Sequence, residues 1–181
     1  MHQEIRKTVT LVLGGVRSGK SRFALDLALR ARRVTFVATA QPVDGEMRQK
    51  IERHRAERPS HWRTVEEPIA LGEAILESAA HADMVLIDCL TIYAAHLLDA
   101  GPLSSEQSLD RLLQTLRHAP VDVVLVSNEV GSGVVPPYPA GRRYRDLLGE
   151  VNQRVAAIAD RVVLMVAGLP LALKGRLESE A

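Results

Sequence analysis

A single cysteine, Cys89, stands in the 181 residues. It excludes an internal disulfide, and with no signal-like apolar run ahead of the first strand it points to a reduced, cytoplasmic setting. An excess of charge of one sign is also missing. The 23 Lys and Arg meet 22 Asp and Glu, a formal net charge of +1, so the chain as a whole has no pull toward nucleic acid or an anionic membrane, and any basic patch must be local. No apolar stretch approaches the roughly 20 residues that cross a bilayer, so no membrane span is expected. No Pro/Gly/Ser linker, internal repeat or low-complexity tract divides the chain. With 46% hydrophobic and 25% charged residues the composition is globular. Residues 1–181 are expected to form one domain, with residues 1–7 and the last few loose.

Short β-rich apolar runs alternate with longer segments of helical period, the pattern of a mostly parallel sheet with helices on both faces. The expected strands are Thr8 to Leu13, Val34 to Thr39, Met84 to Asp88, Val121 to Ser127 and Arg161 to Ala167. The expected helices are Ser21 to Arg32, Ile69 to Ala80, Thr91 to Leu98, Ser104 to Arg117 and Gly141 to Asp160. In the first, Ala24, Leu27, Ala28 and Ala31 share a face; in the last, Leu147, Leu148, Val151, Val155 and Ile158 make the apolar stripe.

Directly after the first strand comes GGVRSGKS, residues 14–21. Gly14, Gly19, Lys20 and Ser21 satisfy GxxxxGK[ST], with a strand before and a helix after, as a phosphate-binding loop requires. Glycine lets the backbone curl until successive N–H groups point inward at phosphate oxygens, and the following helix adds its positive N-terminal end. Lys20 would reach the β and γ phosphates and the Ser21 hydroxyl would sit on Mg²⁺. A plain Gly-rich turn with an exposed lysine is the bland alternative, and the flanking strand and helix count against it. The architecture expected is therefore α/β and P-loop NTPase-like.

Such a loop needs an acidic partner for the metal at the end of a neighbouring buried strand. In MVLIDCLT, Asp88 follows Met84, Val85, Leu86 and Ile87 and would emerge at the carboxyl edge of the sheet, though it could instead cap the next helix. Cys89 reads as a small buried hydrophobe and not a nucleophile, because no histidine is near it in sequence. The chain lacks an NKxD-type base-reading signature, which argues against a switch GTPase, and no arginine-finger segment stands out. A small-molecule kinase is the most economical class on these residues alone.

Positive charge is concentrated in DGEMRQKIERHRAERPSHWRT, where six Arg or Lys from Arg48 to Arg63 face two Glu. If Gly45 to Glu57 is helical, Met47, Ile51 and His54 share a face with Arg55 beside them. An imidazole among cations is kept neutral at pH 7, which suits a nucleophile toward phosphorus. On the residues alone, a solvated histidine on a charged helix is the simpler reading of His54 and of His61, with Trp62 anchoring the loop by burial.

Taken together, GGVRSGKS (14–21), VATAQPVDGEM (37–47), RHRAERPSHWRTVEEP (53–68), LIDCLT (86–91), VSNEVGSGVVP (126–136) and GRRYRDLLGEVNQRVA (141–156) cover almost the whole chain. In these segments it resembles the bifunctional adenosylcobinamide kinase / adenosylcobinamide-phosphate guanylyltransferase family of adenosylcobalamin synthesis. The resemblance implies phosphorylation of adenosylcobinamide by ATP or GTP, then transfer of GMP from GTP to adenosylcobinamide phosphate through a guanylated histidine. The matching histidine is His54, flanked by Arg53 and Arg55, which reverses the simpler reading. Also implied are nucleotide contacts at Gly14, Gly15, Val16, Arg17, Ser18, Gly19, Lys20 and Ser21, at Ala38, Thr39 and Ala40, at Arg55, Ala56, Glu57 and Arg58, and at Glu66 and Asp88. Ala40 stands where such enzymes often have serine, and so offers only backbone. Ser21 and Asp88 would hold Mg²⁺. A homo-oligomer, plausibly a trimer, is implied as well. Asn128 and Glu129, at the end of the fourth expected strand, could orient acceptor or metal or could serve as a helix entry.

Overall fold

The computed structural model describes residues 7–41, 45, 52, 55, 56 and 58–177. Strands β1 (Val9–Gly14), β2 (Val34–Ala38), β3 (Arg63–Glu66), β4 (Met84–Asp88), β5 (Asp122–Asn128), β6 (Arg161–Val166) and β7 (Leu169–Lys174) form one sheet in the order β3-β2-β4-β5-β1-β6-β7. Every neighbouring pair is parallel except β6 with β7, which is an antiparallel hairpin. Helices α1 (Lys20–Ala28), α2 (Leu71–Ser78), α3 (Leu90–Ala100), α4 (Pro102–Arg117) and α5 (Pro139–Ile158) pack on it.

The five strands expected from apolar runs are present, because each is buried on both sides and so reads as an uninterrupted Val/Ile/Leu stretch. The five helices are present with shifted ends: Lys20 opens α1 one residue early, and α3 begins at Leu90 and runs to Ala100. Two edge strands were not expected. β3 is four residues long and mostly exposed, inside a stretch that reads as a charged loop. β7 carries Pro170, which argues against a strand in a sequence but is tolerated at an edge. The helix expected over Gly45 to Glu57 falls mostly outside the described residues.

Alternation along each strand sorts the core into two layers. Leu11, Val85, Ile87, Val123 and Leu125 point to α2, α3, α4 and α5, where Leu71, Leu90, Tyr93, Leu112 and Val151 meet them. Val12, Leu86, Val124 and Val126 point the other way, to Ala24 and Ala28 of α1, with Phe36 and Trp62 completing that layer. Gly72 lets α2 lie against α4, since a Cβ there would sit 3.1 Å from the Arg111 carbonyl oxygen. The amino edge of the sheet is fixed by carboxylates: Asp122 Oδ1 accepts the Thr8 N–H at 2.8 Å and Asp160 Oδ2 accepts the Val9 N–H at 2.9 Å. β1 is thereby held at its start, so its far end can present a turn in a fixed place.

Candidate active site

Because the strands run parallel, the carboxyl ends of β1, β5, β4, β2 and β3 lie along one edge, with Gly14 beside Asn128, Asp88 beside Val126 and Ala38 beside both Asp88 and Glu66. This edge is where open α/β sheets bind ligands. It gathers most of the residues singled out in the sequence.

The Gly14–Ser21 turn is built for close backbone approach. Arg17 and Gly19 adopt left-handed conformations, with φ of 57° and 96°. Gly19 is the N-cap of α1, yet no side chain caps that end and no acidic residue lies in the first turn. The first N–H groups of α1 and their partial positive charge are thus left for an anion. A Cβ on Gly14 would collide with Ser18 Oγ and come 2.9 Å from the Met165 carbonyl oxygen, so only glycine fits. The turn is backed by the β6–β7 hairpin, where the Gly168 N–H donates to the Ser18 carbonyl at 2.9 Å. Nothing in the sequence pattern marked Gly168, because its role arises from a contact remote in the chain. Val16 and Arg17 are exposed at the tip, and Lys20 Nζ donates to the Gly15 carbonyl at 3.0 Å, folded across the turn where phosphate oxygens would replace that carbonyl.

Across the edge, Ser21, Ala24, Leu25, Phe36, Arg58, Leu86, Asp88 and Val126 line one cavity. Ser21 and Asp88 bring a hydroxyl and a carboxylate to it. These are hard oxygen donors of the kind Mg²⁺ accepts in ones or twos, filling its other positions with water and phosphate. Among the described residues no cluster of three or more His, Cys, Asp or Glu could cage a metal unaided. The pair therefore fits Mg²⁺ carried in with a nucleotide. Arg58 lies with its guanidinium 3.7 Å from the centre of the Phe36 ring, a cation–π contact. Burial draws its pKa below the ordinary arginine value, the Asp88 carboxylate draws it back up and Arg55 pushes it down. Arginine stays charged through such shifts, so a partly buried cation faces the cavity.

The remaining expected contacts are spread more widely. Thr39 is fully buried and its hydroxyl is engaged locally, accepting the Cys89 N–H at 2.8 Å and donating to the Cys89 carbonyl at 2.9 Å. It holds the turn after β4 against β2, while Ala38 and Ala40 are half-buried beside it. Arg55 and Ala56 are exposed. Glu66 is exposed at the end of β3, four strand steps from β1, or about 19 Å at the usual strand spacing. That span matches an extended nucleoside triphosphate. Glu67, unremarked in the sequence, accepts the N–H groups of Ile69 and Ala70 at 2.9 and 2.7 Å and so anchors the entry to α2. His54 and Glu57 lie outside the described residues. Burial, reinforced by Asp88, raises the Cys89 thiol pKa, which keeps it a poor nucleophile.

A family model described as cobinamide kinase / cobinamide phosphate guanyltransferase matches residues 10–173. The bifunctional adenosylcobalamin biosynthesis protein CobP of Pseudomonas aeruginosa is 47% identical over 91% of this chain and 96% of its own length. The bifunctional adenosylcobalamin biosynthesis protein CobU of Escherichia coli is 41% identical over 91% of this chain and 98% of its own. Among solved structures, an ATPase of a bacterial type III secretion system superposes with a TM-score of 0.57 at 14% identity, covering 87% of this chain and 51% of that one. The secretion ATPase EscN of enteropathogenic E. coli gives 0.55 at 15% identity, with 87% and 42% covered. The chain thus spans about half the length of those ATPases or less, 51% and 42%, and the likeness speaks to the α/β P-loop fold alone.

Proposed function

The chain belongs to the cobinamide kinase / cobinamide phosphate guanyltransferase family, and from that premise we propose that it carries out both transfers, the second through a guanylated His54. It is an enzyme of cobalamin biosynthesis. The observation that carries the nucleotide half of the proposal is the uncapped start of α1, with Lys20 lying against the Gly14–Ser21 turn and Ser21 sharing a cavity with Asp88.

In the first transfer, the hydroxyl of adenosylcobinamide attacks the γ phosphorus of ATP or GTP and the nucleoside diphosphate leaves. Lys20 and the α1 N–H groups meet the charge on the phosphoryl oxygens, so the chain contributes position and electrostatics more than covalent chemistry. Mg²⁺, held by Ser21 and Asp88, would supply further neutralisation of the phosphates when bound. In the second transfer, neutral His54 attacks the α phosphorus of GTP, pyrophosphate leaves, and GMP then passes to adenosylcobinamide phosphate, giving adenosylcobinamide-GDP. The covalent intermediate avoids bringing two polyanions together in one step. Support for His54 comes from its flanking Arg53 and Arg55 and from the guanyltransferase half of the family description. Arg58 and Glu66 would hold the rest of the nucleotide.

A homo-oligomer is part of the same reading. Its support is the pair Leu169 and Leu171, which alternation places on one side of the edge strand β7, with Leu173 at the register shift that follows; the three are 71%, 55% and 56% exposed. Among the described residues no helix is long and apolar enough to cross a membrane, and the lone cysteine favours a cytoplasmic location.

Labelling with α-³²P GTP tests the second transfer. The protein should take up acid-labile, alkali-stable label, and His54→Ala should take up none while keeping phosphorylation of adenosylcobinamide within about threefold, since a residue serving only the second step leaves the first barrier alone. Equal labelling of the variant would remove His54 from the mechanism, and no labelling of either protein would leave a plain kinase.

A further inference from the structure

We propose that Asn128 positions the acceptor hydroxyl for phosphoryl transfer, its buried and unpartnered side-chain oxygen receiving the hydroxyl proton in a hydrogen bond beside the γ phosphate. The inference rests on the kinase half of the function above and adds a residue to it.

The sheet order sets the location. β5 lies between β4 and β1, so Asn128, the last residue of β5, sits between the strand end bearing Asp88 and the strand end bearing Gly14, its direct register partner. Alternation sets the direction. Val124 and Val126 pack in the layer under α1, while Ser127 points oppositely and donates to Asn152 Oδ1 on α5 at 2.6 Å. Asn128 therefore shares the face of Val126, Asp88 and Ser21, which is the face of the nucleotide cavity.

Its backbone is fixed from both sides. The Asn128 N–H donates to Thr91 Oγ1 at 3.0 Å, and its carbonyl accepts from Asn152 Nδ2 at 3.0 Å. The Thr91 carbonyl in turn accepts from the Tyr144 hydroxyl at 3.1 Å, and the next N–H along the chain, that of Glu129, donates to the Gly14 carbonyl at 3.2 Å. Amid this fully paired frame Asn128 Oδ1 is buried with no partner among the described residues. A buried acceptor left unpaired is unfavourable in the free protein and becomes favourable when a donor arrives.

The donor can be narrowed by chemistry. A phosphate held by the Gly14–Ser21 turn offers only acceptor oxygens at neutral pH, so it cannot satisfy Oδ1. The attacking hydroxyl is a donor that must lie next to the γ phosphorus, opposite the bridging oxygen. As its oxygen bonds to phosphorus, the bond from phosphorus to the β–γ bridging oxygen breaks and the nucleoside diphosphate leaves with that electron pair. The proton passes to a phosphoryl oxygen and then to solvent. A carboxamide is no base, so Asn128 orients the hydroxyl and takes no proton.

The test uses the full chain with γ-³²P nucleotide and adenosylcobinamide. Asn128→Leu keeps the shape and removes the acceptor. It is expected to lower kcat for phosphorylation about 100-fold, the scale of a misoriented nucleophile, while the Kd for a fluorescent GTP analogue stays within about twofold and the melting temperature does not fall. Asn128→Ser, with a shorter acceptor that a water can extend, should recover part of kcat, and it carries the test if the leucine variant does not fold. Wild-type kcat in both variants, or a loss seen wholly as weaker nucleotide binding, overturns the assignment. A wild-type protein that binds nucleotide yet never phosphorylates the corrinoid would instead remove the kinase reading on which the inference rests.

Discussion

On one face of the sheet four helices, α2 to α5, close over a continuous apolar cluster in which Leu11, Ile87, Leu112 and Leu125 are fully buried. On the other, α1 packs over a smaller cluster from Val12 to Met165, rimmed by Phe36 and Trp62. The two faces share strands and differ in cover. The thickly covered face is filled with buried Leu, Val and Ile side chains and stores stability. The thinly covered face leaves Ser21, Phe36, Arg58 and Asp88 around a cavity, with the uncapped end of α1 and the Asn128 oxygen at its edge. A nucleotide bound there, as proposed above, would supply cover that the chain does not supply itself. Burial and chemistry are thus separated across one sheet, and substitutions on the two faces should read out in different assays.

The largest effect should come from the thin face. Lys20 is half-buried at the start of α1, and its ammonium lies against the turn. Lys20→Ala should lower phosphoryl transfer about 1,000-fold, in line with removal of a preorganised charge from a transferring phosphoryl group, and should impair guanylation as well. Its thermal midpoint should move by no more than about 2 °C, because little apolar area is lost. Single-turnover kinetics and calorimetry on one preparation check both halves. A midpoint falling in step with activity would show that the turn also supports the fold.

Next comes the opposite signature on the thick face. Leu112 is fully buried in α4, and Leu112→Ala should cost about 2–5 kcal/mol through lost transfer energy and the cavity left behind. At roughly 2–4 °C per kcal/mol for a chain this size, the midpoint should drop by some 4–20 °C. kcat per folded molecule should remain within about twofold, since Leu112 takes no part in the Thr91 and Asn152 contacts that reach the nucleotide edge. A large kcat loss at a temperature where the variant is fully folded would show the two faces to be coupled.

The same contrast explains what could be read from sequence. Strands buried on both sides, such as Val9–Gly14 and Asp122–Asn128, announce themselves as apolar runs, and the loop motif between β1 and α1 specifies its own flanks. Edge strands do not: Arg63–Glu66 is exposed and charged, and Leu169–Lys174 is broken by Pro170. Lys20, Ser21 and Asp88 were legible because motif and strand end fix them locally. Arg58 and Glu66 came from family resemblance, and the stacking of Arg58 on Phe36 needs a contact between β2 and a segment over twenty residues later. Gly168, Glu67 and Asn152 act through contacts that depend on topology, so no periodicity could point to them. Thr39 was named through the family resemblance, and the bonds of its hydroxyl to the Cys89 backbone, which tie β2 to the turn after β4, are likewise a matter of topology.

The smallest effect should come from charge on the thick face, and it decides whether that face is held by apolar burial alone. Arg154 of α5 reaches Glu106 at 3.0 Å and Asp110 at 2.5 Å on α4, and Glu150 at 3.5 Å on its own helix. Its side chain is 27% exposed and each acid more than half exposed, so water screens every pair. Pairs of this kind contribute about 0–1 kcal/mol. Arg154→Met keeps the apolar stem that lies between the helices and removes the guanidinium. Three carboxylates are then left near one another, but each keeps its hydration, so the repulsion is weak at ordinary salt. Urea unfolding should show a loss under about 1 kcal/mol, with most of it gone in about 0.5 M salt, where the Debye length is only a few ångströms. A loss above about 2 kcal/mol that survives salt would mean that the network holds α4 to α5 in a drier setting than its exposure indicates. The thick face would then owe its stability to ion pairs as well as to leucine.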